Sequence, residues 1–236
     1  MGGDAGTGKS MEHGFTWFGA LGRPENLVTA GLVAALILVF AASVYRRLSA
    51  TEKAIAPEEG VTARNLAEVV TEAILGMAES VLGHGAERYV PLLGSFFVFI
   101  LLCNLLGLVP GFSPPTSSFS ITLGLGLVSF AAYHVSGIRE HGPKYVKQFL
   151  GSVVFIAPLM LVVELFSHAF RPVSLGIRLF ANMFADHAVV SIFIDKTKLV
   201  IPVAFYCLGA FVCVVQAFVF TMLSAIYIAL AVSHEH

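Results

Sequence analysis

Residues 164–187 read ELFSHAFRPVSLGIRLFANMFADH, and this stretch decides how the rest of the chain is to be read. It lies inside a longer apolar run, yet it holds six ionisable side chains: Glu164, His168, Arg171, Arg178, Asp186 and His187. Ser174 and Asn182 add polar groups. An ionisable group at the centre of a bilayer costs about 2.5–3.5 kcal/mol on insertion scales, so such groups imply a function or a partner. No other apolar run in the chain has a comparable density.

Their spacing is helical. At about 100° per residue, with Glu164 at zero, His168 lies near 40°, Arg171 near −20° and Arg178 near −40°. Asn182 returns to about 0° and Asp186 to about 40°. A continuous helix therefore predicts a polar stripe about 80° wide and roughly 33 Å long, the depth of a membrane. Pro172 is a point where that helix can kink or start. His187, near 140°, falls off the stripe and must face a different neighbour.

One alternative is a set of snorkelling or mutually paired residues that hold a helix bundle together. It accounts for Arg171 and Asp186, which can sit near an interface. It does not account for Arg178. Arginine keeps its proton in proteins, so a mid-membrane guanidinium must meet an anion, water or a polarised partner. Glu164 is about four helical turns away and Asp186 about two. A carboxylate from another subunit is the more economical partner.

Outward from this stretch, the whole chain reads as an all-α integral membrane protein. Of 236 residues, 57% are hydrophobic and 12% charged, against roughly 25% charged in an ordinary soluble domain. Mean hydropathy is +0.84. The apolar residues gather in runs that match the roughly 20 residues a transmembrane helix needs. About five spans are expected, near 27–45, 89–109, 119–137, 152–194 and 199–232. The last two are overlong and predict a steeply tilted pair, or for 152–194 a short helix followed by a long one. Thr62 to Leu82 mixes charges with Leu66, Val69, Val70, Ile74, Met77 and Val81 at helical spacing. An amphipathic helix on the membrane surface or against a partner is expected there, at 62–82. Residues 1–24 read as a flexible N-terminal tail and 25–236 as a single membrane domain.

The first run has no basic cluster before it and is too long for a signal-peptide core, so a retained span is the better reading. The loops at 46–88 and 138–150 carry Arg46, Arg47, Lys53, Arg64, Arg88, Arg139, Lys144 and Lys147. The opposite side has Lys9, Arg23, Lys196 and Lys198. This bias predicts an outside N-terminus and a cytoplasmic C-terminus.

Several features are set aside. Gly3 to Ser10 matches the P-loop pattern GxxxxGK[ST], but that motif needs a preceding strand and no βαβ pattern follows. His234-Glu235-His236 resembles a metal triplet at a chain end where nothing fixes ligand geometry. Cys103, Cys207 and Cys213 lie in apolar runs without a CxxC pair and read as small packing residues. No metal or cofactor is expected. The net charge of −1 suggests no nucleic-acid partner. Gln216, the sole amide of the last apolar stretch, suits an interhelical hydrogen bond.

Arg171 to Met183, RPVSLGIRLFANM, closely resembles the signature of F-type ATP synthase subunit a. The resemblance extends to Pro91 through Pro110, with Asn104, and to the last helix around Gln216. It implies a non-catalytic stator beside a rotating ring of c subunits, each with one membrane carboxylate. It implies peripheral-stalk b subunits and the other synthase subunits as further partners. Two offset half-channels would deliver and remove the coupling ion, with Arg178 as the essential charge between them. Glu164 and Ser174 correspond to the cytoplasmic half-channel. Asn182, His187 and Gln216 correspond to positions around the arginine and the outer half-channel, and His168 and Asp186 complete the candidate path.

The chain departs from the family pattern in places. A position seven before Gln216, often ionisable in the family, is Gly209, so the wire would use Asp186 or water. Ser118 and Ser120 stand where Asp and Asn are common. His168 and His187 suit proton transfer, so H⁺ is expected rather than Na⁺. The absence of a transit peptide favours a bacterial plasma membrane. A secondary transporter usually shows inverted repeats, and none is visible. A simple channel needs no charge as costly as Arg178, and an intramembrane protease wants a motif that is absent.

Overall fold

A computed structural model describes residues 25–50, 62–83, 85–109, 111–142, 145, 157–196 and 200–233. The N-terminal tail with its P-loop-like octet, and the terminal His234-Glu235-His236, lie outside them. The described residues form six α-helices and no strand. These are α1 (Glu25–Ala50), α2 (Ala63–Leu82), α3 (Val90–Leu106), α4 (Phe119–His141), α5 (Ala157–Lys196) and α6 (Val200–Val232).

Local chemistry sets most of the ends. Thr62 caps α2, its side chain accepting from the Asn65 N–H at 3.3 Å. Gly83, at φ 67°, closes α2 with a backbone no side chain would favour. Pro91 stands in the first turn of α3, where its missing N–H is harmless. Gly142, at φ 57°, ends α4 and turns the chain so that Tyr145 lies back against Gly137.

Helices α1, α4, α5 and α6 are long and apolar enough to cross a membrane, and α3 is a shorter apolar helix of 17 residues. Of the expected alternatives for 152–194, the observed one is a single helix that runs unbroken through Pro172 from residue 157. Its 40 residues extend for about 60 Å, twice the roughly 30 Å hydrocarbon core. Helix α4 continues past the expected end at 137 to His141, while α3 stops at Leu106, before the expected 109. Gly107 and Val109 continue from α3 in turns that lead to Pro114 and Pro115.

The bundle is held by two kinds of contact. Helices α3 and α6 pack apolar side chains, with Phe96 edge-on to Phe220 at 5.6 Å and Leu175 and Leu179 of α5 closing the same cluster. A second cluster joins Ile74 and Ala78 of α2 to Leu93, Tyr133, Ala225 and Ile228. Helices α4 and α5, by contrast, meet backbone to backbone. A Cβ at Gly126 would fall against the carbonyl of Pro172, 3.1 Å from its carbon and 3.3 Å from its Cα. A Cβ at Gly176 would lie 3.0 Å from Leu123 Cα. In lipid, where hydrocarbon is already the solvent, such small-residue seams supply much of the attraction between helices. Helix α1 stands at the edge, tied by Ser113 Oγ donating to Asn26 Oδ1 at 3.1 Å.

Candidate functional site

Along α5 the candidate residues fall into two groups, with Arg178 between them. The first begins at Glu164 and His168. The i,i+4 spacing brings His168 Nε2 to 3.0 Å from Glu164 Oε1. On its other side, His168 Nδ1 lies 2.8 Å from the hydroxyl of Tyr133 on α4. Arg171, one turn further, is held between aromatic rings, 5.7 Å from the centroid of Tyr133 and 5.1 Å from that of Tyr227 on α6. A guanidinium over two ring faces is attracted by both. His134 joins the group through Tyr145, whose hydroxyl lies 2.9 Å from His134 Nδ1. Ser174 does not join: its hydroxyl donates to the carbonyl of Arg171 at 2.9 Å and the residue faces outward.

The second group lies on the far side of Arg178. Asn182 Nδ2 donates to Gln216 Oε1 at 2.5 Å, bridging α5 and α6. Asn104, Asn182, Asp186 and Gln216 line one shallow cleft, walled by Leu179, Met183, Val212 and Cys213. Asn104 is buried and accepts from the Thr116 hydroxyl at 2.7 Å. The Gln216 Nε2, also buried, has no hydrogen-bond partner among the described residues and so leaves a donor free for water.

Two glycines make room for the ionisable pair at the end of this group. A Cβ at Gly209 would lie 2.7 and 3.0 Å from the two carboxylate oxygens of Asp186. The carboxylate of α5 thus occupies the space where α6 would otherwise place a side chain. His187 faces away from it, as its angular position requires, and meets the turn after α3. A Cβ at Gly107 would lie 2.8 Å from His187 Nε2 and 2.8 Å from Pro114 Cβ. That nitrogen is buried without a hydrogen-bond partner among the described residues.

Arg178 itself is exposed, as are Ser174, Ile177, Ala181, Asn182 and Ala185 on the same face. Among the described residues no carboxylate lies within ion-pair distance of it; the only pairs are Arg64 with Glu68 and His168 with Glu164. The uniform polar stripe expected from spacing is therefore corrected. His168 is buried because α4 covers that end of α5, whereas Arg178 is left bare because neither α4 nor α6 reaches that face. Ser118 stands at the head of α4 and Ser120 is exposed in its first turn.

Sequence reasoning missed Tyr133, His134, Tyr145 and Tyr227. A signal was present for two of them: Tyr133 and His134 are adjacent polar residues within an apolar helix. Nothing in the local sequence marks Tyr145 or Tyr227.

Comparison with known proteins places these features in a family. The profile described as ATP synthase A chain matches residues 27–229. The ATP synthase subunit a of Bdellovibrio bacteriovorus is 42% identical over 212 residues, covering 89% of this chain and 93% of that protein. That of Solibacter usitatus is 38% identical over 235 residues, covering 98% of this chain and 97% of that one. That of Koribacter versatilis is 43% identical over 174 residues, covering 73% and 71%.

Proposed function

The chain belongs to the ATP synthase A chain family, and from that premise we propose that it is the membrane stator across which protons drive a rotating ring. In this reading the exposed face of α5 receives successive ring carboxylates, with Arg178 as the fixed charge they meet. The group Glu164–His168–Tyr133 belongs to the cytoplasmic half-channel. The group Asn182–Gln216–Asp186–His187 belongs to the outer one. The other synthase subunits, including the ring and the peripheral-stalk b subunits, are its partners. The positive-inside bias of the loops sets the N-terminus outside a bacterial inner membrane and the C-terminus in the cytoplasm.

The observation that carries this reading is the placement of Arg178. It is an exposed guanidinium with no carboxylate within ion-pair distance among the described residues, set between two polar groups that do not touch. His168 lies about 15 Å back along the helix and Asp186 about 12 Å ahead. A proton cannot hop through a group that never gives up its own. The same charge favours the ionised form of any carboxylate that faces it. The arginine thus separates the two groups for protons while drawing a proton-free carrier between them. Chemistry of bond-making is not required of this chain; it converts a gradient into motion of its partner.

The test is gradient-driven ATP synthesis in vesicles at matched assembly of the complex. Arg178→Ala abolishes synthesis while the chain stays inserted, because removing an intramembrane charge relieves a cost of about 2.5–3.5 kcal/mol. Lysine rescues poorly, being a point charge on a flexible stem that sheds its proton when buried. Near-normal synthesis by Arg178→Ala would overturn the proposal.

A further inference from the structure

Tyr133 is 1% exposed in the middle of a membrane helix, and its hydroxyl has a definite partner in His168 Nδ1 at 2.8 Å. A buried phenol can be explained as packing, since the ring joins a core cluster with Ala225 and Ile228. Packing does not explain why the hydroxyl closes a chain. From Tyr133 the contacts run to His168 Nδ1, through the imidazole to Nε2, and on to Glu164 Oε1 at 3.0 Å. His168 is itself 9% exposed, whereas Glu164 is half-exposed on the outward side of α5. The Glu164 end of the chain of contacts is therefore open, whereas its middle and its Tyr133 end are sealed from bulk solvent, so a proton leaving Tyr133 needs a water held inside the protein.

We propose that Tyr133 is a proton-relay residue, and that Tyr133, His168 and Glu164 pass protons as one unit at this end of the membrane. The inference rests on the stator reading above and adds to it a residue on α4. The arrangement favours a relay through neutral imidazole. Groups facing His168 are Glu164 and Arg171 on its own helix, Tyr133 and His134 on α4, and Tyr227 of α6 beside Tyr133. Arg171 keeps its charge and sits over the same Tyr133 ring, so an imidazolium held there would be opposed by a like charge. A tautomer exchange avoids it. Glu164, arriving protonated, gives its proton to Nε2 while Nδ1 gives its proton to the phenol oxygen. Tyr133 in the same movement releases its own hydroxyl proton to water. One proton enters at Glu164 and one leaves at Tyr133; the carboxylate is left ionised and the imidazole and phenol stay neutral. His134, with its ring centroid 5.3 Å from that of His168 and its Nδ1 on the Tyr145 hydroxyl, is the polar side chain of α4 next to this pair.

Tyr133→Phe tests this directly, because it keeps the ring under Arg171 and removes only the oxygen. The measurement is ATP-driven proton pumping across a pH series, in vesicles holding the whole complex at matched assembly. The relay predicts a loss between about tenfold and a hundredfold, less than the full effect of a positioned acid–base group because water bridges part of the gap. It also predicts an altered pH profile, and no further loss when Glu164→Gln is added, since residues acting as one unit are not additive. An unchanged rate and profile in Tyr133→Phe, or losses that simply multiply in the double variant, would overturn the relay. Arg178→Ala is run alongside. If it alone retains full coupling, the stator reading fails; if it abolishes coupling while Tyr133→Phe matches the parent, only the relay fails.

Discussion

Replacing Gly126 by alanine adds one methyl group where the backbones of α4 and α5 meet. The new Cβ would meet the Pro172 carbonyl, with the carbonyl carbon at 3.1 Å and Cα at 3.3 Å. Carbon pairs rest at about 3.5–4.0 Å, so the shortfall is about half an ångström or more. No flexible side chain stands in the way; both surfaces are backbone. The helices must therefore separate, and overpacking of this kind costs about 1–3 kcal/mol. Separation displaces α5 at Pro172, six residues before Arg178 and four after His168. Misplacement by about 1 Å at a reacting centre can cost a hundredfold in rate, so pumping should fall more than assembly does. Gly124 supplies the control. It lies on the same helix with nothing within 4 Å of its ideal Cβ, so Gly124→Ala gains up to about 1 kcal/mol in helix propensity without a clash. The assay is thermal stability of the detergent-solubilised complex, followed by ATP-driven pumping per assembled complex. Gly126→Ala should lose both, with Gly124→Ala equal to the parent or slightly more stable. Indistinguishable behaviour of the two variants would refute the backbone-to-backbone seam.

The second seat of this kind is Gly209. Gly209→Ala places a methyl 2.7 Å from Asp186 Oδ2 and 3.1 Å from Leu108 Cδ2, so proton pumping should drop through displacement of the carboxylate, with a stability loss of about 1–3 kcal/mol. Adding Asp186→Ala should restore the stability, read as the midpoint of thermal unfolding, but not the pumping. For topology, single cysteines at Lys53 and Lys144 should label from the cytoplasmic side and one at Ser117 from the outside. Labelling of the Lys144 and Ser117 positions from one side would overturn the five-span topology.

Much of this architecture is written in the chain. The apolar runs marked α1, α3 and α4, and the polar residues of α5 stand out because charge in a membrane is costly and therefore rare. Periodicity also set His187 off the stripe and toward a different neighbour, since a helix fixes angles whatever surrounds it. Surroundings are what periodicity leaves out. His168 and Arg178 fall on one stripe by angle, yet one is sealed by α4 and the other bare, because burial depends on how neighbouring helices cross: α4 packs on α5 beside Arg178, at Gly176 and Phe180, without covering its face. Tyr145 was illegible for a related reason. It reaches His134 from beyond Gly142, where α4 has ended, and a residue past a helix end carries no periodic signal. The packing role of Gly107 was equally hidden, and Gly209 was marked by the family resemblance, not by its own chemistry. A glycine in an apolar helix reads as a weak helix former until the side chain that fills its space is seen.

The bareness of Arg178 has a consequence for how the complex is made. A newly inserted chain carries this cation on an open helix face, and the bilayer must thin or admit water around it, at about 2.5–3.5 kcal/mol. A partner that brings an anion to that face removes the defect. If the relief were fully realised, it would favour association by about two orders of magnitude, at 1.4 kcal/mol for each tenfold. The same residue would then mark orphan chains, whose local membrane disturbance persists, from assembled ones, in which it is gone.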